Sequence, residues 1–368
     1  MIAGSWEQVK RILCIRLDYM GDVLMTTPAI RALRQSLPGC EITLLTSGSG
    51  AAVARYIPEI DDTIVYAAPW MKDSGQPDPA ADAVMIATLA RRGFDAAVIF
   101  TVYSQNPLPA ALLCHLAGIP RRLAHCRENP YHLLSDWVRE SEPHEQVRHE
   151  VRRQLDLVAA IGARADDEHL SIQVPSAATA HVIGRLQALD IDPDGTWIVL
   201  HPGATATSRR YPPEHWRTVA RGLLESLDCP LVFSGSADEA ALVEEIRSGL
   251  PRTHSLAGQL DLGQLAALIA LAPVLVTNNT GPAHIAAAVG TPVVDLYALT
   301  NPQHTPWQVP ARVLFRDVPC RYCYKSVCPQ GHKLCLTGVA PADVIRATTE
   351  LLDGDAPFAT QPLPPLKS

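Results

Sequence analysis

Short apolar segments alternate with helical patterns along the first half of the chain. RILCIRL at residues 11–17 runs into a small polar loop and then the helical pattern VLMTTPAIRALRQSL. Further apolar runs are EITLLTS at residues 41–47, then TIVYAAP, and DAAVIFTV at residues 95–102. Residues 144–162 have mixed charge and predict a long helix. Strands that alternate with helices predict a parallel sheet with helices on both faces.

The same alternation restarts after a polar connection near residue 175. It includes the apolar runs TWIVLHPG, PLVFSGS, PVLVTNN and TPVVDLYA and a short strand at residues 253–256, and we predict about five strands in each half of the chain. The pattern predicts an α/β fold of two facing Rossmann-like domains, residues 1–175 and 176–352. The remaining residues, 353–368, are rich in proline, and we expect them to form a flexible tail.

Length and charge narrow the class of protein. The 368 residues exceed the roughly 250 to 300 at which a single core stops growing, which favours two domains. A formal net charge of −7 argues against a nucleic-acid partner, which needs a basic surface. The sequence has no apolar run of the roughly 18 residues that span a bilayer and no signal-peptide cleavage pattern, so we expect a cytoplasmic protein.

The segment NNTGPAHIAAAVGTPVV, at residues 278–294, is the strongest candidate for a binding loop. An apolar strand ends in a small polar turn, and Pro282 falls where the first turn of a helix tolerates a missing N–H. The amides near Thr280 and Gly281 and the helix dipole then favour an anion such as a diphosphate, with His284 one turn further on. Alternatively, this is an ordinary strand-to-helix turn whose glycine only satisfies the backbone.

A second candidate loop lies in HPGATATSRRYPPEHW, at residues 201–216. Thr205, Thr207, Ser208 and Arg209 offer hydroxyl and guanidinium donors of the kind that bind phosphate oxygens. The alternative is a solvated pair of surface arginines.

The third candidate is LDYMGDVLMTTPA, where Asp18 and Asp22 flank a glycine at the end of the first predicted strand. A carboxylate there is placed for chemistry at the edge of the sheet, but Asp22 also fits a helix N-terminus, where the dipole favours it without any catalytic role. The sequence has no G-x-G-x-x-G after a strand and no P-loop lysine motif, which argues against a dinucleotide oxidoreductase and an NTPase.

Four of the nine cysteines, Cys320, Cys323, Cys328 and Cys335, form a C-x2-C-x4-C-x6-C pattern beside His332. In a reducing compartment this pattern favours a tetrahedral zinc or iron site over disulfides. Reversible disulfides and free structural cysteines are the alternatives.

Together, RLDYMGDVLMTTPAIRAL, HPGATATSRRYPPEHW and NNTGPAHIAAAVGTPVVDLY closely resemble the bacterial heptosyltransferases, glycosyltransferase family 9, which act in lipopolysaccharide core assembly. The likeness extends from about residue 11 to residue 352. It implies the two-domain GT-B architecture, with an ADP-heptose donor in the C-terminal domain and a sugar acceptor in the N-terminal one. The implied chemistry is inverting and needs no metal or other cofactor, so a metal at the cysteines would be structural.

The resemblance also implies roles for single residues. Asp22 matches the general base of the family motif, whereas Asp18 matches no assigned role. Arg209 aligns with a family lysine, and with the Thr205 hydroxyl and the amides of Thr280 and Gly281 it would stabilise the leaving diphosphate.

Four further residues complete the implied donor site. Glu239 would bind the ribose, the backbone near Leu260 the adenine, and His284 would lie by the phosphates or the sugar. The family usually has aspartate where this chain has Asn279. The asparagine side chain lacks the negative charge of aspartate, so the resemblance does not determine which donor sugar this chain accepts.

These observations predict inverting transfer of a heptose or related sugar from ADP-heptose to a lipopolysaccharide-core or other surface-glycan acceptor, a glycan or glycolipid. Peripheral contact with the inner face of the cytoplasmic membrane would follow from a glycolipid acceptor. The alternatives are a protein or small-molecule acceptor, a catalytically silent nucleotide-sugar-binding protein, and an epimerase of nucleotide sugars.

Overall fold

The computed structural model describes residues 6–72, 75 and 76, 78–354 and 363. The chain divides into two compact units, Met1–Gln173 and Val174–Ser368. Most of the tail predicted at 353–368 lies outside the described residues.

The first unit contains a parallel sheet of six strands in the order β3-β2-β1-β4-β5-β6. Its strands are β1 Arg11–Arg16, β2 Glu41–Thr46, β3 Asp62–Val65, β4 Ala96–Ile99, β5 Arg121–Cys126 and β6 Asp136–Arg139. Its helices are α1 Met20–Ser36, α2 Gly48–Ala54, α3 Pro79–Arg92, α4 Leu108–Leu116 and α5 Glu150–Ala159.

The second unit repeats this topology, with six parallel strands in the order β12-β11-β10-β7-β8-β9. Its strands are β7 Ile198–His201, β8 Leu231–Phe233, β9 Thr253–Ser255, β10 Leu275–Asn278, β11 Val293–Leu296 and β12 Ala311–Leu314. Its helices are α6 Ser176–Gln187, α7 Pro213–Leu227, α8 Ala240–Arg247, α9 Leu262–Leu271, α10 Gly281–Val289, α11 Leu334–Thr337 and α12 Pro341–Leu352.

The central strands carry the apolar runs because helices cover both faces of each sheet. Every residue of β4, β7, β10 and β11 is buried, so these strands have no polar face to alternate with the apolar one. The strand order reverses between β1 and β4 in the first unit and between β7 and β10 in the second. At such points the loops after the strands diverge and leave a crevice in which ligands bind.

The predicted α/β fold with two Rossmann-like sheets is confirmed, but the strand count was low. The patterns of apolar residues do not predict β5, which opens with two arginines, or β6 and β12, which are partly exposed edge strands with polar residues among the apolar ones.

The helix predicted at residues 144–162 is shorter in the structure, where α5 is Glu150–Ala159. The segment before it is held in a loop because the Arg148 backbone amide and Nε both donate to Glu142 Oε1, at 3.0 and 2.6 Å. Side chains that bond nearby backbone in this way compete with helix formation. Across the described residues, the helices are too short or too polar to cross a lipid bilayer.

Candidate functional site

A buried arginine lies at the end of β1 and contacts three carboxylates. The Arg16 side chain has no exposed surface, and its Nη1 donates to Glu150 Oε1 at 2.7 Å. Its Nη2 donates to Asp22 Oδ1 at 3.2 Å. Its Nε lies 2.9 Å from Asp18 Oδ2 at an angle that makes this an ion contact rather than a hydrogen bond. One guanidinium therefore holds both candidate aspartates of the LDYMGD segment.

Asp22 is the third residue of α1, and its two oxygens have different partners. Oδ2 accepts a hydrogen bond from the Tyr19 amide at 3.2 Å, which completes a capping box at the start of the helix. Oδ1 accepts from Arg16, and 15% of the side chain is exposed. The cap predicted as the alternative is present, and it fixes the carboxylate rather than excluding a reaction.

Asp18 is oriented by a second neighbour. Gln105 Nε2 donates to Asp18 Oδ1, from the loop after β4. Burial raises the pKa of Asp18 to about 6, although the charge of Arg16 opposes that shift. A carboxyl group with a raised pKa therefore lies two residues beyond the end of β1 in the N-terminal unit.

A cavity of about 650 Å³ opens beside Asp18 in the first unit. Its lining combines apolar and aromatic side chains with the polar groups of the loops after β1, β2 and β4. The lining includes Asp18, Ser47, Trp70, Phe100, Thr101 and Gln105. A cavity of this size with aromatic walls and a few convergent polar groups is typical of a small-molecule site.

In the second unit, the loop after β7 lies against Glu239. A Cβ atom added at Gly203 would come within 2.1 Å of the Glu239 carboxyl group, so only glycine leaves room for that carboxylate. Glu239 Oε2 accepts from the Ser236 amide at 2.9 Å and lies 3.9 Å from His201 Nε2. The predicted ribose-binding residue therefore joins the loops after β7 and β8.

Two consecutive asparagines at the end of β10 bind the loops on either side of that strand. Asn278 Nδ2 donates to the Pro202 carbonyl at 2.7 Å, and Asn278 Oδ1 accepts from the Tyr211 amide at 3.2 Å. Asn279 turns the other way, and its Nδ2 donates to Asp295 Oδ2 at 3.0 Å and to the His304 carbonyl at 2.9 Å. The loops after β7, β10 and β11 are thereby held together.

The predicted anion-binding residues lie at the start of α10. Thr280 is the N-cap residue and Gly281 and Pro282 open the helix, as the sequence predicts. Arg209 Nη1 donates to the Asn279 carbonyl at 3.4 Å, which brings the guanidinium from the loop after β7 to this helix end. His284 is buried, and its ring centroid lies 6.5 Å from that of His304.

The other predicted donor residues lie on loops at the same edge of the sheet. Thr205 is exposed on the loop after β7, and Leu260 is half-buried on the loop after β9, just before α9. The contacts between these loops join Arg209 to Asn279 and Glu239 to Gly203.

Arg16, Glu150 and Asp295 also contact the candidate site residues, although their sequence motifs do not predict it. Asp295 is the third residue of β11 and is completely buried. Burial raises its pKa to about 7, while the hydrogen bond from Asn279 and the charge of Arg209 oppose the shift. The sequence does contain a signal for two of them, because Arg16 ends the apolar run of β1 and Asp295 interrupts the apolar strand β11.

The Cys-rich segment, residues 320–335, contacts the candidate donor site. The Ser208 amide donates to the Ser326 carbonyl at 3.0 Å, and the Ser208 hydroxyl to the Lys325 carbonyl at 2.8 Å. The Tyr322 amide donates to the Leu299 carbonyl at 2.6 Å, beyond β11. This segment therefore connects the loops after β7 and β11.

All nine cysteines are free thiols, and the four of the Cys-rich segment are half-buried. Cys320 Sγ lies 3.9 Å from His332 Nε2. In the part of the chain that the structure describes, no three His, Cys, Asp or Glu side chains are arranged to hold a metal ion.

This chain matches a heptosyltransferase family model and is similar to heptosyltransferases of two bacteria. Residues 85–334 match the family model described as glycosyltransferase family 9 (heptosyltransferase). Lipopolysaccharide heptosyltransferase 1 of Pseudomonas aeruginosa is 26% identical over 326 residues, which cover 86% of this chain and 87% of that protein. Lipopolysaccharide heptosyltransferase 2 of Escherichia coli is 25% identical over 357 residues, with 93% and 98% covered.

Solved structures share the fold over nearly the whole chain. A glycosyl transferase of family 9 from Veillonella parvula has a TM-score of 0.78 at 23% identity, covering 94% of this chain and 98% of that one. The ADP-heptose lps heptosyltransferase II of E. coli has a TM-score of 0.72 at 24% identity, covering 94% and 99%. Both sheets found here therefore belong to a fold that family 9 enzymes adopt.

Proposed function

This chain belongs to glycosyltransferase family 9, and we propose that it transfers a heptose or related sugar from ADP-heptose to a lipopolysaccharide-core or other surface-glycan acceptor. It is a glycosyltransferase, and the proposal concerns its donor, its acceptor and the residues that act. The observation that carries the proposal is the contact between Arg209 and the Asn279 carbonyl at the N-terminus of α10. A guanidinium beside a helix N-terminus favours a diphosphate.

We assign the nucleotide to the C-terminal unit. Arg209, the Thr205 hydroxyl and the amides of Thr280 and Gly281 would stabilise the charge of the departing ADP without a metal. Glu239 would accept hydrogen bonds from the ribose, the backbone at Leu260 would contact the adenine, and His284 would lie beside the phosphates or the sugar. Asn279 belongs to this site through its backbone, since both hydrogens of its amide nitrogen are directed to other groups of the protein.

We assign the acceptor and the base to the N-terminal unit. Asp22 would take the proton from the acceptor hydroxyl as that oxygen attacks the anomeric carbon on the face opposite the diphosphate. Its contacts with Arg16 and the Tyr19 amide restrict the carboxylate to one orientation before the acceptor arrives. The cavity beside Asp18, with Trp70 and Phe100 in its wall, suits the apolar face and hydroxyl groups of a sugar.

We place this reaction in the cytoplasm. A glycolipid acceptor would require peripheral contact with the inner face of the cytoplasmic membrane.

A ligand screen followed by a transfer assay tests the proposal. Thermal unfolding of the full chain is measured with ADP, UDP, GDP and their sugars, because a ligand at 100 times its dissociation constant stabilises the folded state by about 2.7 kcal/mol. We expect ADP and ADP-heptose to raise the unfolding temperature most. A preference for UDP or GDP would contradict the donor assignment, and product from ADP-heptose without any acceptor would indicate an epimerase instead.

The transfer assay then separates an enzyme that uses this donor from a silent binding protein. Labelled ADP-heptose is incubated with heptose-deficient lipopolysaccharide, with a protein fraction and with small sugars. We expect label in the lipopolysaccharide. Binding of ADP-heptose without transfer to any acceptor would contradict the proposed reaction.

We also propose that the Cys-rich segment holds a structural zinc or iron ion through Cys320, Cys323, Cys328 and Cys335. Four thiols with an imidazole close to one of them form a donor set that both metals accept, although no closed site is arranged in the described residues. Since Ser208 binds this segment, such a metal would stabilise the loop that carries Arg209.

Metal analysis of protein purified under reducing conditions tests this second assignment. We expect about one zinc or iron per chain, which the double variant Cys323→Ser, Cys328→Ser should lose. Protein without stoichiometric metal would contradict it. Replacement of the buried Cys229, which lies outside the segment, is the matched control.

A further inference from the structure

Asp295 is a carboxylate buried in the apolar core of the C-terminal unit. It lies in β11 between Val294 and Leu296, and none of its surface is exposed. Asp295 Oδ2 accepts one hydrogen bond, from Asn279 Nδ2, whereas Oδ1 is buried and has no hydrogen-bond partner among the described residues. A buried carboxylate with half of its acceptor capacity unused is costly for stability. An apolar residue would suit the strand better, so the carboxylate points to a role outside the core.

Asn279, the hydrogen-bond partner of Asp295 among the described residues, lies in the candidate donor site. Asn279 directly precedes Thr280, the N-cap of α10, and its own amide donates to the Leu296 carbonyl at 3.2 Å. The two hydrogens on its side-chain nitrogen are directed to Asp295 and to the His304 carbonyl. Three hydrogen bonds therefore fix Asn279 to β11 and to the loop that follows it.

The backbone carbonyl of Asn279 is in turn the acceptor for Arg209. Arg209 Nη1 lies 3.4 Å from this oxygen, at the long end of the range for hydrogen bonds. A long and weak contact depends strongly on where its acceptor points. This carbonyl belongs to Asn279, so the hydrogen bond between Asn279 and Asp295 helps to set its direction. The charge of Asp295 also acts on Arg209 through the protein interior.

We infer that Asp295 is a positioning residue of the donor site, which acts through the Asn279 amide to fix the carbonyl that holds Arg209. The inference rests on the proposed function, because the position of Arg209 affects the reaction only if its guanidinium binds the diphosphate. Asp295, a residue of β11, would thus contribute to nucleotide binding without touching the nucleotide.

A double-mutant cycle measured by ADP binding tests the inference. Calorimetry gives the dissociation constant of ADP for the full-length wild type, Asp295→Ala, Asn279→Ala and the double variant. Loss of a hydrogen bond to a charged group corresponds to about tenfold in affinity, so each single variant should bind ADP about tenfold more weakly. The double variant should bind no more weakly than either single one, because two residues that act through one bond are not additive.

Asp295→Asn separates the hydrogen bond from the charge. Asparagine has nearly the same shape, and its oxygen can accept from Asn279 Nδ2, so we expect ADP affinity within about twofold of wild type. Thr348→Val is the matched control, since it removes another buried hydrogen bond of this unit, to the Val344 carbonyl within α12. Its ADP affinity should not change.

The outcomes separate this inference from the proposed function. Wild-type protein that does not bind ADP would overturn the donor assignment and the inference together. Wild type that binds ADP while Asp295→Ala binds it equally well would overturn the inference alone, as would additive losses in the cycle. If Asp295→Ala fails to fold, Asn279→Ala decides, because unchanged ADP affinity in that variant removes the only route by which Asp295 is proposed to act.

In a transfer assay, the Michaelis constant of the donor should rise in Asp295→Ala and that of the acceptor should stay the same. A general loss of structure would change both, so this difference distinguishes positioning from a merely structural role.

Discussion

Each of the two units contains a buried charged side chain, but the two charges have opposite signs and different partners. In the first, a buried cation, Arg16, is surrounded by three carboxylates. In the second, a buried anion, Asp295, is held by an amide and lies only within the longer-range field of Arg209. The cation is compensated by charge and the anion mainly by one hydrogen bond. The comparison indicates that three ion contacts fix the geometry of the first cluster, whereas the geometry at Asp295 depends on a single hydrogen bond.

The largest effect should come from the carboxylate that we propose as base. Asp22→Asn keeps the size of the side chain and its acceptor for Arg16 but cannot take up a proton, so turnover should fall by about 100 to 10,000-fold. ADP affinity should stay at the wild-type value, since the nucleotide is assigned to the other unit. Steady-state rates and calorimetry measure the two quantities.

Asp18→Asn is the comparison for that variant, since Asp18 shares the same guanidinium. Its effect on turnover should be much smaller. Equal losses in the two variants would show that the cluster as a whole, rather than Asp22, is required.

Breaking the charge compensation of Arg16 should have the next largest effect. Arg16→Met leaves Glu150, which is also fully buried, without its cation, and the free energy of unfolding should fall by about 3 to 5 kcal/mol. Arg16→Met combined with Glu150→Gln should recover part of this loss, because the uncompensated charge is removed. Urea denaturation measures both, and a double variant less stable than the single one would contradict the proposed compensation.

The buried anion should make stability depend on pH with a defined sign. The pKa of Asp295 is about 7 in the folded chain and about 3.9 in an unfolded one, so the folded state holds the proton more tightly. This tighter binding of the proton contributes fully to the free energy of unfolding below pH 4. The contribution is lost as the pH rises to 7, a change on the order of 4 kcal/mol. Within the described part of the chain, Arg209 and Tyr297 interact electrostatically with this carboxylate.

Unfolding of the wild type and of Asp295→Asn, measured between pH 4 and pH 8, isolates this contribution. The difference in stability between them should shift in favour of Asp295→Asn as the pH rises. Parallel curves for the two proteins would show that Asp295 does not titrate in this range.

The smallest effect should come from Gly203, where space rather than charge is limiting. Gly203→Ala displaces the Glu239 carboxylate from its bond to the Ser236 amide, which costs about 1 kcal/mol, the value of a helix cap. In a Glu239→Ala background the same substitution should cost nothing more, because the obstructing carboxylate is absent. Thermal unfolding of the four proteins measures the difference.

Much of the candidate site could be predicted from the sequence because the signals are local. The turn at Thr280 and Gly281, the loop with Arg209 and the aspartate in LDYMGD each follow directly from an apolar strand and a few adjacent residues. In parallel sheets such loops come to the same edge, so the sequence predicts that the candidate donor residues lie near one another. Arg209 does contact the residue before Thr280.

The alternation of strands and helices, the two-sheet architecture and the loops that carry candidate chemistry all follow from the order of residues along the chain. Only the tertiary structure showed that Arg16 lies against Glu150, 134 positions away, and that Asn279 binds Asp295. The first contact depends on where α5 packs, and the second on the register between β10 and β11. A charged residue in an apolar strand indicates that some partner exists, but long-range packing alone determines which one it is.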